Sequence, residues 1–183
     1  ASPTAVLDYD DATGFLIGEE NRGLEYMFIM MNAARFSVGV QGVAISERAY
    51  QCAFAYARDR VQSRPVNGSA KEAVPIIQHP DVRRMLMRMR SLTEGGRAMA
   101  MATAGLLDLA HHGDDREALA LAEFMVPLVK SFCTERAVDV TSLGLQVHGG
   151  MGFIEETGAA QLYRDARILP IYEGTTAIQA NDF

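Results

Sequence analysis

The chain has 183 residues, 49% of them hydrophobic, which is enough for one well-buried domain. Its 17 basic and 23 acidic side chains leave a formal charge of −6 with no basic patch, which argues against a nucleic-acid partner. No apolar run approaches the ~20 residues needed to span a bilayer, and the first ten residues have neither the basic start nor the apolar core of a signal peptide. Residues 1–20 are acidic and turn-rich, with Asp8-Tyr-Asp-Asp11 and Gly14, and read as the tail of something preceding.

A long helical pattern then runs from about Arg22 to Arg60, with Met27, Met30, Met31, Ala34, Val38 and Val43 on one stripe. Such a helix would be ~58 Å long and needs partners to bury that stripe. Small residues, among them Gly39 and Gly42, let a neighbouring helix come close. Arg64-Pro65, Asn67-Gly68-Ser69 and Pro75 break the pattern, giving a loop from about Ser63 to Gln78. Pro80 and Asp81 suit the first turn of a second helix, whose stripe is Val82, Met85, Leu86 and Met89. Gly95-Gly96 inside it points to close helix contact, and Gly113 suits the C′ position at its end.

Asp114 or Asp115 can cap a third helix, to about Val147, with Leu121, Phe124, Met125, Leu128, Phe132, Val138 and Leu145 as its apolar stripe. Cys52 and Cys133 fall inside helices and read as small buried hydrophobes of a reducing compartment, not a disulfide framework. A shorter helix is expected from about Glu156 to Arg167, and a fifth from Glu173. No strand alternation of useful length occurs. The expected fold is all-α: an up-down bundle of three long helices plus shorter C-terminal helices.

The segment Gln146-Val-His-Gly-Gly-Met-Gly-Phe153, followed by Tyr163-Arg-Asp-Ala166 and Tyr172-Glu-Gly-Thr-Thr176, carries the chemistry. Glycines admit a ligand to the backbone, since no Cβ stands in the way. A lone glutamate before Gly-Thr-Thr can aim a carboxylate into a cleft. From spacing alone, Glu173 is equally well a helix-starting carboxylate favoured by the dipole. Gly149-Gly150 by itself reads as a plain helix stop. His79, His111, His112 and His148 form no metal pattern.

The whole string resembles the C-terminal part of the flavin-dependent acyl-CoA dehydrogenases, from about Gly18 to Phe183, with motifs in the family's order. The resemblance implies a helical C-terminal domain over residues 21–183, truncated in its last helix, with 1–20 as the end of a preceding β-domain. It implies FAD as cofactor, an acyl-CoA substrate, and Glu173 as the base that removes the α proton. Some branches carry the base just before the arginine equivalent to Arg35; here that position is Ala34, which strengthens Glu173. Arg60, Gln62, Gln146, Gly149, Gly150, Thr175 and Thr176 fall at the cofactor, and Asn32, Arg35, Tyr172 and Gly174 at the substrate. Thr175 and Thr176 can equally cap the last helix. Arg35 needs a partner on an apolar face, with Asp165 a candidate. After Arg60 the family usually continues with an aromatic and a glycine; Val61-Gln62-Ser63-Arg64 departs from that and changes the flavin packing. The resemblance further implies a homodimer or homotetramer, an electron acceptor such as electron-transfer flavoprotein, and a cytoplasmic setting (the mitochondrial matrix in a eukaryote). It is strongest toward a larger branch that includes methylthiopropanoyl-CoA dehydrogenases. Two alternatives are an acyl-CoA oxidase of the same fold and a non-catalytic helical oligomerisation module.

Overall fold

The computed structural model describes residues 5–182; residues 1–4 of the expected tail, and Phe183, lie outside the described residues. Three long helices make the frame: α1 (Gly23–Asp59), α2 (Pro80–His112) and α3 (Arg116–His148). Three short ones follow: α4 (Gly150–Phe153), α5 (Ala159–Arg167) and α6 (Thr176–Asn181), with 3-10 turns at Ile76–Gln78 and Glu155–Thr157. Among the described residues the only β pairing is an isolated antiparallel bridge between Val61 and Pro75. The expected all-α bundle is what forms.

Helix α3 is the central element, packed on both α1 and α2. It approaches α1 so closely that side chains are excluded at the crossing. A Cβ on Gly39 would stand 2.6 Å from Val129 Cγ1, and one on Gly42 2.7 Å from the Cys133 carbonyl oxygen. Backbones that meet this closely bury small residues: Ala49, Ala53 and Ala57 of α1 and Ala118, Ala122, Ala137 and Gly144 of α3 are all buried, and a Cβ on Gly144 would stand 3.8 Å from the Ala49 Cβ. Larger side chains, Met85, Leu86, Met89, Val140 and Val147, fill the space toward α2. Buried hydroxyls return their protons to the preceding turn: Ser46 to Gly42 O, Thr134 to Lys130 O and Thr141 to Ala137 O, each at 2.7 Å. These hydroxyls therefore sit in the interface with their donors satisfied.

The stripe expected on α3 is displaced. Leu121, Phe124 and Phe132 are exposed, while Ala118, Ala122, Val126, Val129, Cys133 and Ala137 face inward. The stripe on α1 is buried only from Arg35 onward; Met27 and Met30 are exposed. By length and composition α1 can cross a membrane, contrary to the expectation; here its C-terminal part packs in the bundle. Gly96 meets Cys133 Sγ at 3.3 Å from an ideal Cβ, but Gly95 faces open space, so only one of the pair serves helix contact. Gly113 ends α2 in a right-handed conformation, and the left-handed residue is Asp114, with φ 50°. Asp115 caps α3, its carboxylate accepting from Glu117 N and Ala118 N at 3.0 Å.

The expected fifth helix does not begin at Glu173. The chain turns through left-handed conformations at Glu173 (φ 54°) and Gly174 (φ 86°), and α6 starts at Thr176. Glu173 lies in that turn, two residues before the N-cap Thr175, so the reading of Glu173 as the residue that starts the helix is overturned.

Candidate functional site

The sequence-predicted site residues collect in three places. The first is an open groove of about 600 Å³ where α1 ends, α2 begins and α3 stops. Arg60, Gln62, Gln146 and Gly149 all line it, together with Tyr56, His79 and His148. Local structure fixes this wall. After Arg60 the chain pairs back on itself, with Gln62 N donating to Val74 O and Ile76 N to Arg60 O. His79 Nε2 lies 2.8 Å from Gln62 O; a carbonyl only accepts, so this nitrogen carries the proton. His148 is buried, donates from Nδ1 to Gly144 O at 2.7 Å, and stacks on Tyr56 with ring centroids 4.4 Å apart. Both histidines are thereby structural.

Gly149 ends α3 with φ 61° and ψ −140°, a conformation that side-chain-bearing residues avoid. Nothing lies within 4 Å of an ideal Cβ on Gly149 or Gly150, so the backbone there is open to an approaching group. Arg60 is exposed and makes no ion pair among the described residues. A free guanidinium beside an open glycine turn suits a phosphate-bearing ligand, since it is always charged and offers paired donors. These are features a dinucleotide's pyrophosphate needs, and the groove fits it.

The second place is a cavity of about 740 Å³ lined by Asn32, Arg35 and Phe36 of α1, residues of α2 and α3, and Asp182. Arg35 is buried and its Nη1 pairs with Asp182 at 2.7 Å, so the expected partner Asp165 is corrected to an acid next to the end of α6. Asp165 instead lies on α5, within 3.5 Å of Gln161. Arg35 Nε is buried without a partner, a donor left for something else in the cavity.

The third place is the Glu173-Gly174 turn, which lines neither cavity. Glu173 is half-buried, and its carboxylate makes no hydrogen bond or ion pair among the described residues. Tyr172 donates its hydroxyl to Gln41 Oε1 at 2.6 Å; burial, then the neighbouring Glu173 charge, push that phenol up from its ordinary pKa. Thr176 donates to Glu135 Oε1 at 2.6 Å, and Thr175 stands at the N-cap with no side-chain bond, so neither hydroxyl caps α6. Gly150 and Thr175 line neither cavity.

One residue here escaped the sequence reading. Lys130 is 0% exposed, in the middle of α3, and donates from Nζ to Gly174 O. Burial, then the nearby Arg35 charge, hold its ammonium below the usual lysine range, against the opposing fields of Glu135 and Glu173. Its position was readable: Val126, Lys130, Cys133, Thr134 and Ala137 follow helical spacing on one buried face.

Comparison with known proteins bears on the same residues. The family description "Acyl-CoA dehydrogenase, C-terminal domain" matches residues 21–183. A 3-methylmercaptopropionyl-CoA dehydrogenase of Ruegeria pomeroyi is 77% identical over 100% of this chain and 32% of its own length. Among solved structures, Caenorhabditis elegans ACDH-11 in complex with C11-CoA matches 91% of this chain and 27% of its own, with 28% identity and a TM-score of 0.81. An acyl-CoA dehydrogenase complexed with FAD from Bacillus anthracis matches 88% of this chain and 28% of its own, with 28% identity and a TM-score of 0.77. The chain therefore spans about a third of the length of the relatives it matches.

Proposed function

This chain belongs to the acyl-CoA dehydrogenase family, matching its C-terminal domain, and from that premise we propose that it is the helical part of an FAD-dependent enzyme. The reaction is α,β-dehydrogenation of an acyl-CoA thioester, with Glu173 as base. One observation carries the reading: a half-buried carboxylate with no partner, held on a left-handed turn, while Ala34 occupies the alternative base position. A base for α-proton abstraction must be ionised at rest, poorly solvated once substrate arrives, and free to accept. Glu173 meets the last condition by having no competing donor.

FAD, when bound, supplies the acceptor for the hydride that leaves the β carbon. Arg60, Gln62, Gln146 and Gly149 would hold its phosphates and backbone-facing edge from the groove, with Gly150, the next residue along the chain, and Thr175 and Thr176 outside it. Asn32, Arg35, Tyr172 and Gly174 would face the acyl-CoA. Arg35, already neutralised by Asp182, orders the cavity wall without adding an uncompensated charge.

The 77% identity to a 3-methylmercaptopropionyl-CoA dehydrogenase makes that thioester the first substrate to test. We assign residues 1–20 to the end of a preceding β-domain, and assembly to a homodimer or homotetramer that passes electrons to an acceptor such as electron-transfer flavoprotein. The free thiols of Cys52 and Cys133 go with a reducing compartment, the cytoplasm of a bacterium.

The test is anaerobic bleaching of the bound flavin by 3-methylmercaptopropionyl-CoA in the full-length protein, followed by turnover under air with and without an artificial electron acceptor. Bleaching with acceptor-dependent turnover supports a dehydrogenase. Turnover on oxygen alone would make it an oxidase. Absence of bound flavin would reduce the domain to an oligomerisation module.

A further inference from the structure

The turn that carries Glu173 is held from beneath by two buried side chains. Both of its carbonyls are engaged: Lys130 Nζ donates to Gly174 O, and Gln179 Nε2 lies 3.2 Å from Glu173 O and 3.3 Å from Gly174 O. Lys130 and Gln179 are each 0% exposed. The donors meet a backbone that would not hold itself. Glu173 has a left-handed φ that side chains other than glycine, asparagine and aspartate rarely adopt. Gly174 also turns left-handed, and a Cβ there would stand 2.6 Å from Gln179 Nε2, so the amide is seated directly under the turn.

Neither side chain serves stability well. Among the described residues no carboxylate lies within ion-pairing distance of Lys130, so a desolvated ammonium is compensated by a carbonyl and by distant charge. A buried charge of that kind is commonly replaced by an apolar residue of similar shape with little loss, or a gain, in stability. Gln179 leaves its Oε1 buried without a partner while its nitrogen serves the turn. Both residues place unfavourable groups in the interior, and both spend donors on this turn: Lys130 on Gly174 O, Gln179 on Glu173 O and Gly174 O.

We propose that Lys130 and Gln179 are positioning residues that clamp the Glu173-Gly174 turn in its left-handed form and thereby aim the Glu173 carboxylate. The clamp acts through the backbone and does not touch the acyl-CoA. It rests on the reading of Glu173 as the base. Without it the turn relaxes toward ordinary backbone angles, and the carboxylate leaves its line to the α proton.

The experiment uses the flavin-loaded full-length protein with Lys130→Met, Gln179→Met or Glu173→Gln. Methionine keeps length and approximate volume while removing the donors. Each variant is mixed anaerobically with a concentration series of 3-methylmercaptopropionyl-CoA, and flavin bleaching is followed. Both methionine variants are expected to keep the flavin spectrum and the thermal midpoint. Their saturating reduction rate should fall about 10- to 100-fold, the scale of a carboxylate displaced by an ångström. The half-saturating thioester concentration should move less than about threefold, because the interaction lost is one made in the transition state. A rate within about threefold of the parent in both methionine variants, with Glu173→Gln inactive, overturns the clamp and leaves the base standing. Bleaching by Glu173→Gln at the parent's rate overturns both. Should Lys130→Met alone fail to fold, Gln179→Met decides: a rate loss at unchanged half-saturation supports the clamp, a parental rate overturns it. Loss of the fold in both, or a rate loss matched by weaker binding, makes them structural residues and overturns it.

Discussion

Glu173 sits in a conformation that costs a residue with a side chain about 1–3 kcal/mol, and the surrounding contacts hold it there. Its chemistry depends on accepting one proton, which defines a clean substitution. Glu173→Gln is nearly isosteric and cannot act as a base, so flavin reduction should fall 10²- to 10⁴-fold while flavin stays bound. Stopped-flow bleaching with a parallel reading of the bound-flavin spectrum checks both halves. A second residue-scale expectation concerns the two thiols. Cys133 is buried between α1, α2 and α3, and burial pushes its pKa up to about 11, whereas Cys52 is half-buried. Thiolate is the reactive species, so at mildly alkaline pH a maleimide or iodoacetamide should label Cys52 and leave Cys133 until the protein unfolds. Peptide mapping of the labelled protein reads the outcome, and equal labelling of both would contradict the packing described. The parts of the site that were legible at this scale were those with a chemical signature. Arg60, Gln62, Gln146 and Gly149 came from the family resemblance and not from residue type alone, and the fold brings them to one groove. The Arg35 partner was not legible, because Asp182 lies 147 residues away and nothing local marks it. Nor was the turn at Glu173: glutamate carries no signal for a left-handed φ, and one of the donors to the turn, Lys130, lies 44 residues from Gly174.

At the level of helices, boundaries proved far more legible than faces. Pro80, Asp115 and the Gly149-Gly150 stop mark the ends of α2 and α3 within a residue or two of where they fall. The buried face of α3 was misread because the expected stripe followed the largest apolar residues. In this interface the rule inverts. Where Gly39 and Gly42 draw α1 onto α3, the buried face of α3 carries compact side chains such as Ala122, Val129, Cys133 and Thr134, and Leu121, Phe124 and Phe132 are turned outward. The glycines supply the test. Gly42→Ala places a methyl 2.7 Å from the Cys133 carbonyl oxygen, a backbone atom that cannot swing away. The helices must separate, and stability should drop by about 1–3 kcal/mol or more. Gly95→Ala adds the same methyl in open space on an exposed helical position and should raise stability by about 0.5–1 kcal/mol. Urea titration of the two variants should therefore move the midpoint in opposite directions. A shared direction would mean that helix propensity, not the α1–α3 approach, governs these sites.

The molecule as a whole leaves one end of its longest helix without cover. Residues 5–34 of the described chain are exposed or half-buried throughout, and Leu24, Phe28, Ile29 and Met30 put large apolar side chains on the first turns of α1. The proposed cofactor groove is likewise only one wall: it is open, and Arg60 and Gln146 face outward from it. Both features have the same physical consequence. An apolar helix end in water gains free energy from any partner that covers it, at roughly 25 cal/mol per Å² of apolar surface removed, and an open wall cannot enclose a dinucleotide. The chain prepared by itself should therefore fold as a helical bundle, associate with copies of itself, and hold flavin weakly. Sedimentation velocity at tens of micromolar, a rough working range for weak self-association, should show species larger than a monomer of 20.0 kDa. Replacing Phe28 and Ile29 by serine should return it toward the monomer without changing helix content, since neither side chain is part of the buried core. Equilibrium dialysis of the same preparation should find no sub-micromolar FAD binding, because Arg60 and the glycine turn would then be donating to phosphates that solvent also reaches. A chain that is monomeric at those concentrations, or that holds FAD tightly by itself, would mean that the apolar turns of α1 and the open groove are already complete in this domain.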